Sequence, residues 1–279
     1  MNALVVHDTQ DSARQETGRL RYEILGPLRV TGPGSGSFIR AHKMQILLAV
    51  LLVRSGQVVP MHYLTDEIWG ENAPRRSTAA VHVYISQLRK FLGQYGEGSS
   101  PIVTRPPGYL LNIDDGELDL RDFEKLVGLG RQQARAGQHE EAAASYAAAL
   151  QLWRGPALGG LRDSRVVNAF AAWLDESRLE CTEMMVESGL ALGRHRSLIS
   201  LLYSLVAQQP LHESFYRQLM LALYRSERQA DALKVYQLAR TTLRNDLGLE
   251  PCRSLRDLHV AILSGDRRLD LPAGAPRRG

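Results

Sequence analysis

The sequence is poor in cysteine: it has two in 279 residues, Cys181 and Cys252, which lie 71 positions apart. This pair supports neither a disulfide framework nor a four-ligand zinc site. Scarce cysteine is typical of proteins from a reducing compartment. We therefore expect a cytoplasmic protein without a structural metal.

A long apolar run is also missing. No stretch reaches the roughly 18 consecutive apolar residues that a membrane-spanning helix needs. Residues 1–18 have neither a basic start nor an apolar core, so they do not resemble a signal peptide. We expect a disordered leader there, and a flexible tail at residues 265–279, where proline, glycine and arginine are frequent.

Motifs for catalysis and cofactor binding are absent as well. The adjacent carboxylates at 140–141 and at 175–176 point to different sides of their predicted helices, and neither cysteine has an evident base nearby. The glycine-rich stretch "TGPGSGSFIR", residues 31–40, is not followed by the Gly-Lys-Ser/Thr of a phosphate-binding loop, so a hairpin turn explains it better. We expect no enzymatic activity, no cofactor and no metal.

Charge is present but unevenly distributed. Residues 19–113 hold 11 Lys and Arg against 5 Asp and Glu, a net charge of +6, whereas residues 114–264 hold 18 against 20, a net charge of −2. A basic first third before a near-neutral remainder predicts one module that binds a polyanion and a second with another task.

The first module, residues 19–113, shows a changing periodicity. Alternating strand patterns come first, three helical patterns follow, and "PIVTRPPGYLLNI" closes the module as a hairpin with a tight Pro-Pro-Gly turn. A helix-turn-helix followed by a β-hairpin is the layout of a winged helix. The predicted fold is mainly α with a small β component.

The third helical pattern, "STAAVHVYISQLRKFLG" at residues 77–93, first looks like a strand. As a helix over 78–92, however, it places Val81, Ile85, Leu88 and Leu92 on one apolar stripe. Ser77 suits the N-cap and Gly93 the C-terminal cap.

The face of this helix opposite the stripe is small, polar and basic. It carries His82, Val83, Ser86, Gln87 and Lys90. We expect Gln87 and His82 to reach base edges in a major groove, and Val83 to contact a thymine methyl group. The residues that we expect to contact the DNA backbone here are Arg75, Arg76, Thr78, Arg89 and Lys90. A solvated helix face with an incidental valine is the alternative.

The hairpin adds three candidates for contacts from the wing. Thr104 and Arg105 precede the turn and Tyr109 follows it. An arginine on a stiff wing suits the negative potential of a narrow groove. The alternative is structural: Pro-Pro-Gly makes the turn and Tyr109 packs.

The second module, residues 114–264, is helical and contains a degenerate repeat. Gly193 and Glu227 begin similar segments 34 residues apart, a period that resembles tetratricopeptide repeats. The first copy begins at Gly137, 56 residues before Gly193, which predicts one or two inserted helices around residues 162–181. An irregular helical bundle with accidental alanines is the alternative.

The two modules together resemble a known family. "STAAVHVYISQLRKFLG", "IVTRPPGYLL", "RYEILGPLRV" and "LTDEIWG" are similar to the winged helix of OmpR-like response regulators, and "YRSERQADALKVYQLARTTLRNDLGLEP" resembles the bacterial transcriptional activator domain. The two in this order are typical of the Streptomyces antibiotic regulatory protein family. The resemblance covers roughly residues 20–263, without a receiver domain or a nucleotide-binding module, as in the short members.

The resemblance implies a transcriptional activator. By position, it also implies that the residues in the groove are His82, Val83, Ser86 and Gln87. Such proteins bind direct repeats upstream of antibiotic biosynthetic genes as side-by-side protomers, and they recruit RNA polymerase by contacts that include its sigma subunit. The wing is one residue shorter than in response regulators, and many relatives have arginine where Gln87 stands. Because glutamine favours adenine, the base preference does not transfer. A helical-repeat scaffold for proteins, with a nonspecific basic domain, is the alternative function.

Overall fold

The computed structural model describes residues 20–32, 35–94, 100–113 and 118–270, with the side chains of 35–37 left out. The predicted leader and residues 271–279 of the predicted tail lie outside the described residues. The chain divides into two compact units, Met1–Phe123 with Leu152–Glu176, and Glu124–Gln151 with Ser177–Gly279. Within the described part of the chain, no helix combines the length and the hydropathy needed to cross a bilayer.

The first unit contains the predicted order of strands, three helices and a terminal hairpin. Its elements are β1 Arg21–Glu23, β2 Arg29–Gly32, β3 Ser35–Phe38, α1 His42–Val53, β4 Val58–Pro60, α2 Met61–Trp69, α3 Ser77–Leu92, β5 Ile102–Arg105 and β6 Gly108–Leu111. Strands β1, β2 and β3 form one antiparallel sheet in that order. The winged-helix fold predicted from the sequence is confirmed.

A second sheet extends the terminal hairpin by one strand. Its order is β4-β6-β5, with both neighbouring pairs antiparallel. Gly108 permits the pairing of β6 with β4, because a Cβ there would lie 1.9 Å from the carbonyl oxygen of Val59. The residues "QVVP", 57–60, predict a short extended segment, but the sequence does not identify the strand with which it pairs.

The core of the first unit surrounds α1, which is buried on nearly every side. Its buried residues are Met44, Ile46, Leu47, Leu48, Ala49, Val50, Leu51 and Leu52. Such an all-apolar helix is stable only at the centre of a domain, where neighbouring elements remove each of its faces from water. Helix α2 packs on it with Leu64 and Ile68, which are buried, and Gly70 ends α2 with a positive φ of 57°.

Residues beyond the hairpin complete this unit through buried polar contacts. Asp119 accepts hydrogen bonds from the backbone amides of Ile24 (2.9 Å) and Leu25 (3.1 Å). Burial raises the pKa of the Asp119 carboxyl, and the two amides and the Arg154 guanidinium act against that shift. Arg154 also lies 3.2 Å from the carboxylate of buried Glu23. These contacts connect β1 to residues far along the chain.

A second buried carboxylate holds the segment at 164–167 in the same unit. Glu67, on α2, accepts from the Ser164 hydroxyl (2.6 Å) and from the Val166 amide (3.1 Å). Ser164 in turn accepts from the Val167 amide at 3.2 Å. Residues 152–176, which were predicted to belong to the second module, therefore lie with the first unit.

The second unit is helical. The helices that begin in it or run into it are α4 Asp119–Arg135, α5 His139–Gln151, α6 Arg165–Ala191, α7 His195–Gln208, α8 Glu213–Arg225, α9 Gln229–Leu247 and α10 Arg253–Ser264. Helix α6 has 27 residues and lies between the first two copies of the repeat. It is the inserted helix that the spacing of 56 predicts.

The repeat positions are where helices approach closely. Ala142, Tyr146 and Ala149 are buried in α5. A Cβ at Gly130, on α4, would lie 2.6 Å from the Tyr146 ring, so α4 and α5 pack this closely only because residue 130 has no side chain. Position 130 thus supplies the small residue that a tetratricopeptide-like helix crossing needs.

The two cysteines occupy opposite environments, and we expect opposite reactivity. Cys181 is buried, and burial raises the pKa of its thiol to about 12, whereas Cys252 is exposed. Iodoacetamide at about pH 8, near the ordinary thiol pKa, is therefore expected to modify Cys252 alone, as read by peptide mass spectrometry. Denaturant is expected to expose both thiols. Equal labelling of the two in the folded protein would contradict the buried position of Cys181.

Candidate nucleic-acid interface

Helix α3 has the apolar stripe that the sequence predicts. Val81, Ile85, Leu88 and Leu92 are its buried residues. The predicted N-cap is wrong by one residue: the helix begins at Ser77 and Arg76 is the N-cap, because the Arg76 carbonyl already accepts from the Ala80 amide at 3.0 Å. Gly93 is the C-cap, as predicted.

The opposite face of α3 is open to solvent. The predicted base-reading residues are all exposed: His82, Val83, Ser86 and Gln87. The exposed fraction of Val83 is 52%, high for an aliphatic residue in the middle of a helix. Lys90 and Thr78 are also exposed. The helix therefore presents an amide, a hydroxyl, an imidazole and a methyl-bearing side chain on its outer surface.

The electrostatic surroundings of this face favour an anionic ligand. Arg75 and Arg76 are exposed in the turn that leads into α3. No acidic residue occurs in the sequence between Glu71 and Glu97. Ring stacking between Trp69 and Tyr84, with centroids 6.2 Å apart, connects α2 to α3 below this basic segment. The positive charge of this segment suits contacts with a phosphate backbone.

Two of the residues predicted to contact the DNA backbone, Arg89 and Thr104, form a hydrogen bond with each other. Arg89, at the end of α3, donates to the carbonyl of Ile102 (3.0 Å) and to the hydroxyl of Thr104 (2.8 Å), both on β5. Its guanidinium also lies 5.7 Å from the centre of the Tyr109 ring. Arg89 and Thr104 therefore connect α3 to the β5–β6 hairpin, and their contact with DNA stays a prediction. Arg105, at the end of β5, is exposed.

Tyr109 lies inside the domain rather than on the surface of the wing. Its exposed fraction is 5%, and its hydroxyl oxygen is 2.6 Å from Nδ1 of His82. The two rings meet edge to face, with centroids 6.2 Å apart. The ring of Tyr109 is therefore packed, as the structural alternative predicts. Its hydroxyl contacts His82, on the outward face of α3.

The structure brings four of the predicted residues into one connected set, made of His82, Arg89, Thr104 and Tyr109. Sequence reasoning missed this connection. The alternation along β6 was a usable signal, because it places Tyr109 and Leu111 on the buried side of the strand. No pattern in the sequence identifies His82 as the partner of Tyr109. No group of three or more potential metal ligands occurs among residues 20–32, 35–94, 100–113 and 118–270.

Two protein families match the chain in consecutive segments. Residues 40–111 match the family described as "Transcriptional regulatory protein, C terminal", and residues 118–263 match the "Bacterial transcriptional activator domain". The first match contains α1 to β6, and the second begins at Leu118, where the chain pairs with β1.

Named regulators are similar over most of the chain. Regulatory protein DnrI of Streptomyces peucetius is 36% identical over 257 residues, covering 90% of this chain and 94% of DnrI. Transcriptional regulator RedD of Streptomyces coelicolor is 36% identical, covering 92% of this chain and 74% of RedD. Transcriptional regulatory protein EmbR of Mycobacterium tuberculosis is 38% identical over 248 residues, which are 88% of this chain but 63% of EmbR.

A solved structure supports the fold. Mycobacterium tuberculosis EmbR, determined in complex with a low-affinity phosphopeptide, matches with a TM-score of 0.83 at 36% identity. The match covers 92% of this chain and 67% of the EmbR chain.

Proposed function

Because this chain belongs to the Streptomyces antibiotic regulatory protein family of transcriptional regulators, we propose that it activates transcription from direct repeats upstream of secondary-metabolite genes. It reads the repeats with α3, contacts their backbone with the wing and recruits RNA polymerase. The observation that carries this proposal is the outward face of α3, which is exposed, free of acidic residues and chemically varied.

Each side chain on this face has a partner in a major groove. Gln87 can bond to N6 and N7 of adenine, and Val83 can contact the methyl group of thymine. Ser86 has a hydroxyl that serves either a base edge or a phosphate. The contacts proposed to position the helix on the backbone come from Arg75, Arg76, Thr78 and Lys90, and Arg105 contacts the backbone from the wing.

The second unit supports the recruitment of a protein partner. Tetratricopeptide-like helices form binding surfaces for proteins, and this unit exposes large apolar side chains on its last two helices. These residues are Leu238, Leu247, Val260 and Leu263. We propose that RNA polymerase, including its sigma subunit, is the partner, and that two protomers lie side by side on the repeats. Because the proposed target is chromosomal DNA, we propose that the protein acts in the cytoplasm, at the nucleoid.

The experiment that tests this function starts from a random-sequence duplex library. The full chain should enrich a motif, and footprinting of the enriched duplex should show two sites in the same orientation, separated by about one helical turn or a multiple of it. Addition of RNA polymerase should then give activator-dependent run-off transcripts. Enrichment of no motif would overturn the proposal and leave the helical-repeat scaffold as the better account. A motif without any transcription would overturn the recruitment step alone.

The base-reading role of Gln87 predicts a selective defect. Gln87→Ala is expected to reduce discrimination at one base pair by roughly tenfold, since a bidentate contact contributes about 1–3 kcal/mol. The matched control is Arg105→Ala, which should weaken binding to every sequence and lower the salt slope by about 1. Binding isotherms on single-substitution duplexes measure both. An equal loss on all duplexes for Gln87→Ala would contradict its role in reading bases.

A further inference from the structure

His82 presents one ring nitrogen to the protein and leaves the other free. The residue is exposed near the middle of α3. Its Nδ1 lies 2.6 Å from the hydroxyl oxygen of Tyr109, a distance typical of a strong hydrogen bond. No described residue forms a hydrogen bond with its Nε2. The imidazole is therefore anchored on the wing side and open on the other.

The direction of the anchoring hydrogen bond follows from what each group can offer. A neutral imidazole has one N–H and one lone pair, and a phenol has one O–H. If Nδ1 carried the hydrogen, the Tyr109 hydroxyl would accept it, and the hydroxyl's own hydrogen would lose the acceptor that His82 provides. If the hydroxyl donates to Nδ1, both groups are satisfied and the imidazole hydrogen is on Nε2.

Tyr109 is held firmly enough to impose this choice. Its strand β6 pairs on both edges, and the register sets Tyr109 opposite Val59 on one side and Thr104 on the other. The ring is buried, with the Arg89 guanidinium 5.7 Å from its centre. Arg89 is itself fixed by its hydrogen bonds to β5. The hydroxyl therefore has a defined position under His82.

We infer that Tyr109 is a positioning residue for base recognition: its hydroxyl holds His82 as the Nε2–H tautomer and orients that N–H outward. This inference rests on the proposed function, in which α3 enters a major groove. His82 then meets DNA as a hydrogen-bond donor. It favours acceptors, which are N7 of purines, O6 of guanine and O4 of thymine, over the amino group of cytosine.

The role is distinct from ordinary packing of the wing. Removing the hydroxyl while keeping the ring frees His82 to rotate and to populate both tautomers, one of which accepts where the other donates. Discrimination at the base pair under His82 is then lost, whereas contacts at the other base pairs persist. A residue with a purely structural role would instead affect all sequences alike.

Tyr109→Phe in the full chain tests the inference, and Tyr84→Phe is the matched control. Tyr84 is on the same helix, but its ring stacks on Trp69. The first measurement is the imidazole 15N chemical shifts of His82 by NMR. We expect the Nε2–H tautomer in the wild-type protein and in Tyr84→Phe, and a mixture of tautomers in Tyr109→Phe. The Nδ1–H tautomer in the wild type would overturn the inference.

The second measurement is enrichment from a random-sequence duplex library, followed by affinities for single-substitution duplexes. Tyr109→Phe should relax preference at one base pair by about threefold to tenfold, as expected for one hydrogen bond. In a His82→Ala background, Tyr109→Phe should change nothing further at that position. A uniform loss on all duplexes, or an effect that persists without His82, would overturn the inference.

These outcomes separate the two proposals. If the wild-type chain enriches no motif, the proposed function fails, and the inference fails with it whatever Tyr109→Phe does. If the wild type enriches a motif that Tyr109→Phe reads with unchanged preference, the proposed function stands and the inference alone is wrong.

Discussion

Val83→Glu is expected to abolish sequence-specific DNA binding while leaving the fold intact. Val83 is exposed in the centre of the proposed reading face, so the glutamate would point at the groove. Its carboxylate would face base-edge acceptors and nearby phosphates, and like-charge juxtaposition in an interface costs several kcal/mol. We expect affinity for the enriched duplex to fall by on the order of 100-fold or more.

The matched control for this change is Val260→Glu. Val260 is likewise an exposed helical valine, with an exposed fraction of 62%, but it lies on α10 in the second unit. The free energy of unfolding of both variants should lie within about 1 kcal/mol of the wild-type value, because substitutions of exposed residues rarely change stability by more than that. Fluorescence anisotropy with a labelled duplex measures the affinity. Wild-type binding by Val83→Glu would show that α3 does not enter the groove.

Asp119→Ala is expected to destabilise the first unit by about 3–5 kcal/mol. The change leaves the amides of Ile24 and Leu25 without their acceptor, and each buried donor without a partner costs about 1–3 kcal/mol. It also removes the carboxylate 3.7 Å from Arg154, whose other carboxylate partner is Glu23. Because the two amides that lose their acceptor follow β1 directly, we expect the β1 region to loosen first.

Two further variants serve as controls for Asp119→Ala. Asp119→Asn keeps one acceptor oxygen and should lose clearly less. Asp122→Ala removes a partly exposed ion pair with Arg21 and should lose about 1 kcal/mol or less. Urea titrations followed by circular dichroism give the free energies of unfolding. Equal values for Asp119→Ala and Asp122→Ala would show that the carboxylate of Asp119 does not stabilise β1.

The buried carboxylates of Asp119 and Glu67 also decide which fragments of the protein are suitable for experiments. A fragment that ends at residue 113, where the winged-helix pattern stops in the sequence, lacks Asp119, Arg154 and Ser164. It would leave the first unit without the partners of β1 and α2. The full chain is therefore the proper material for DNA-binding measurements.

The parts of the fold that follow from local periodicity were predictable. Helix α3 is the clearest case, since a spacing of i, i+4, i+7 and i+11 identifies Val81, Ile85, Leu88 and Leu92 as its buried stripe without any tertiary information. The exposed position of Val83 follows from the same pattern. The predicted helix start was wrong by one residue, because Ser77 is of a residue type that N-caps favour, whereas Arg76 takes the N-cap position without a side-chain hydrogen bond.

Contacts between distant residues were beyond sequence reasoning. Asp119 bonds to amides 94 and 95 residues away, and Glu67 bonds to a hydroxyl 97 residues away. Charged residues are usually exposed, so composition predicts the wrong environment for both. The pairing of Tyr109 with His82 escaped for the same reason, because periodicity identifies a buried side of β6 but not the side chain that it meets.

The measurement that tests the account most directly compares two duplexes with equal base composition, one enriched from the random library and one scrambled. Affinities for the full chain are determined between about 50 and 200 mM salt. The account predicts that the enriched duplex binds roughly 10³-fold tighter or more at each salt concentration, and that both affinities fall as salt rises. Equal affinity for the two duplexes would contradict the claim that α3 reads DNA sequence.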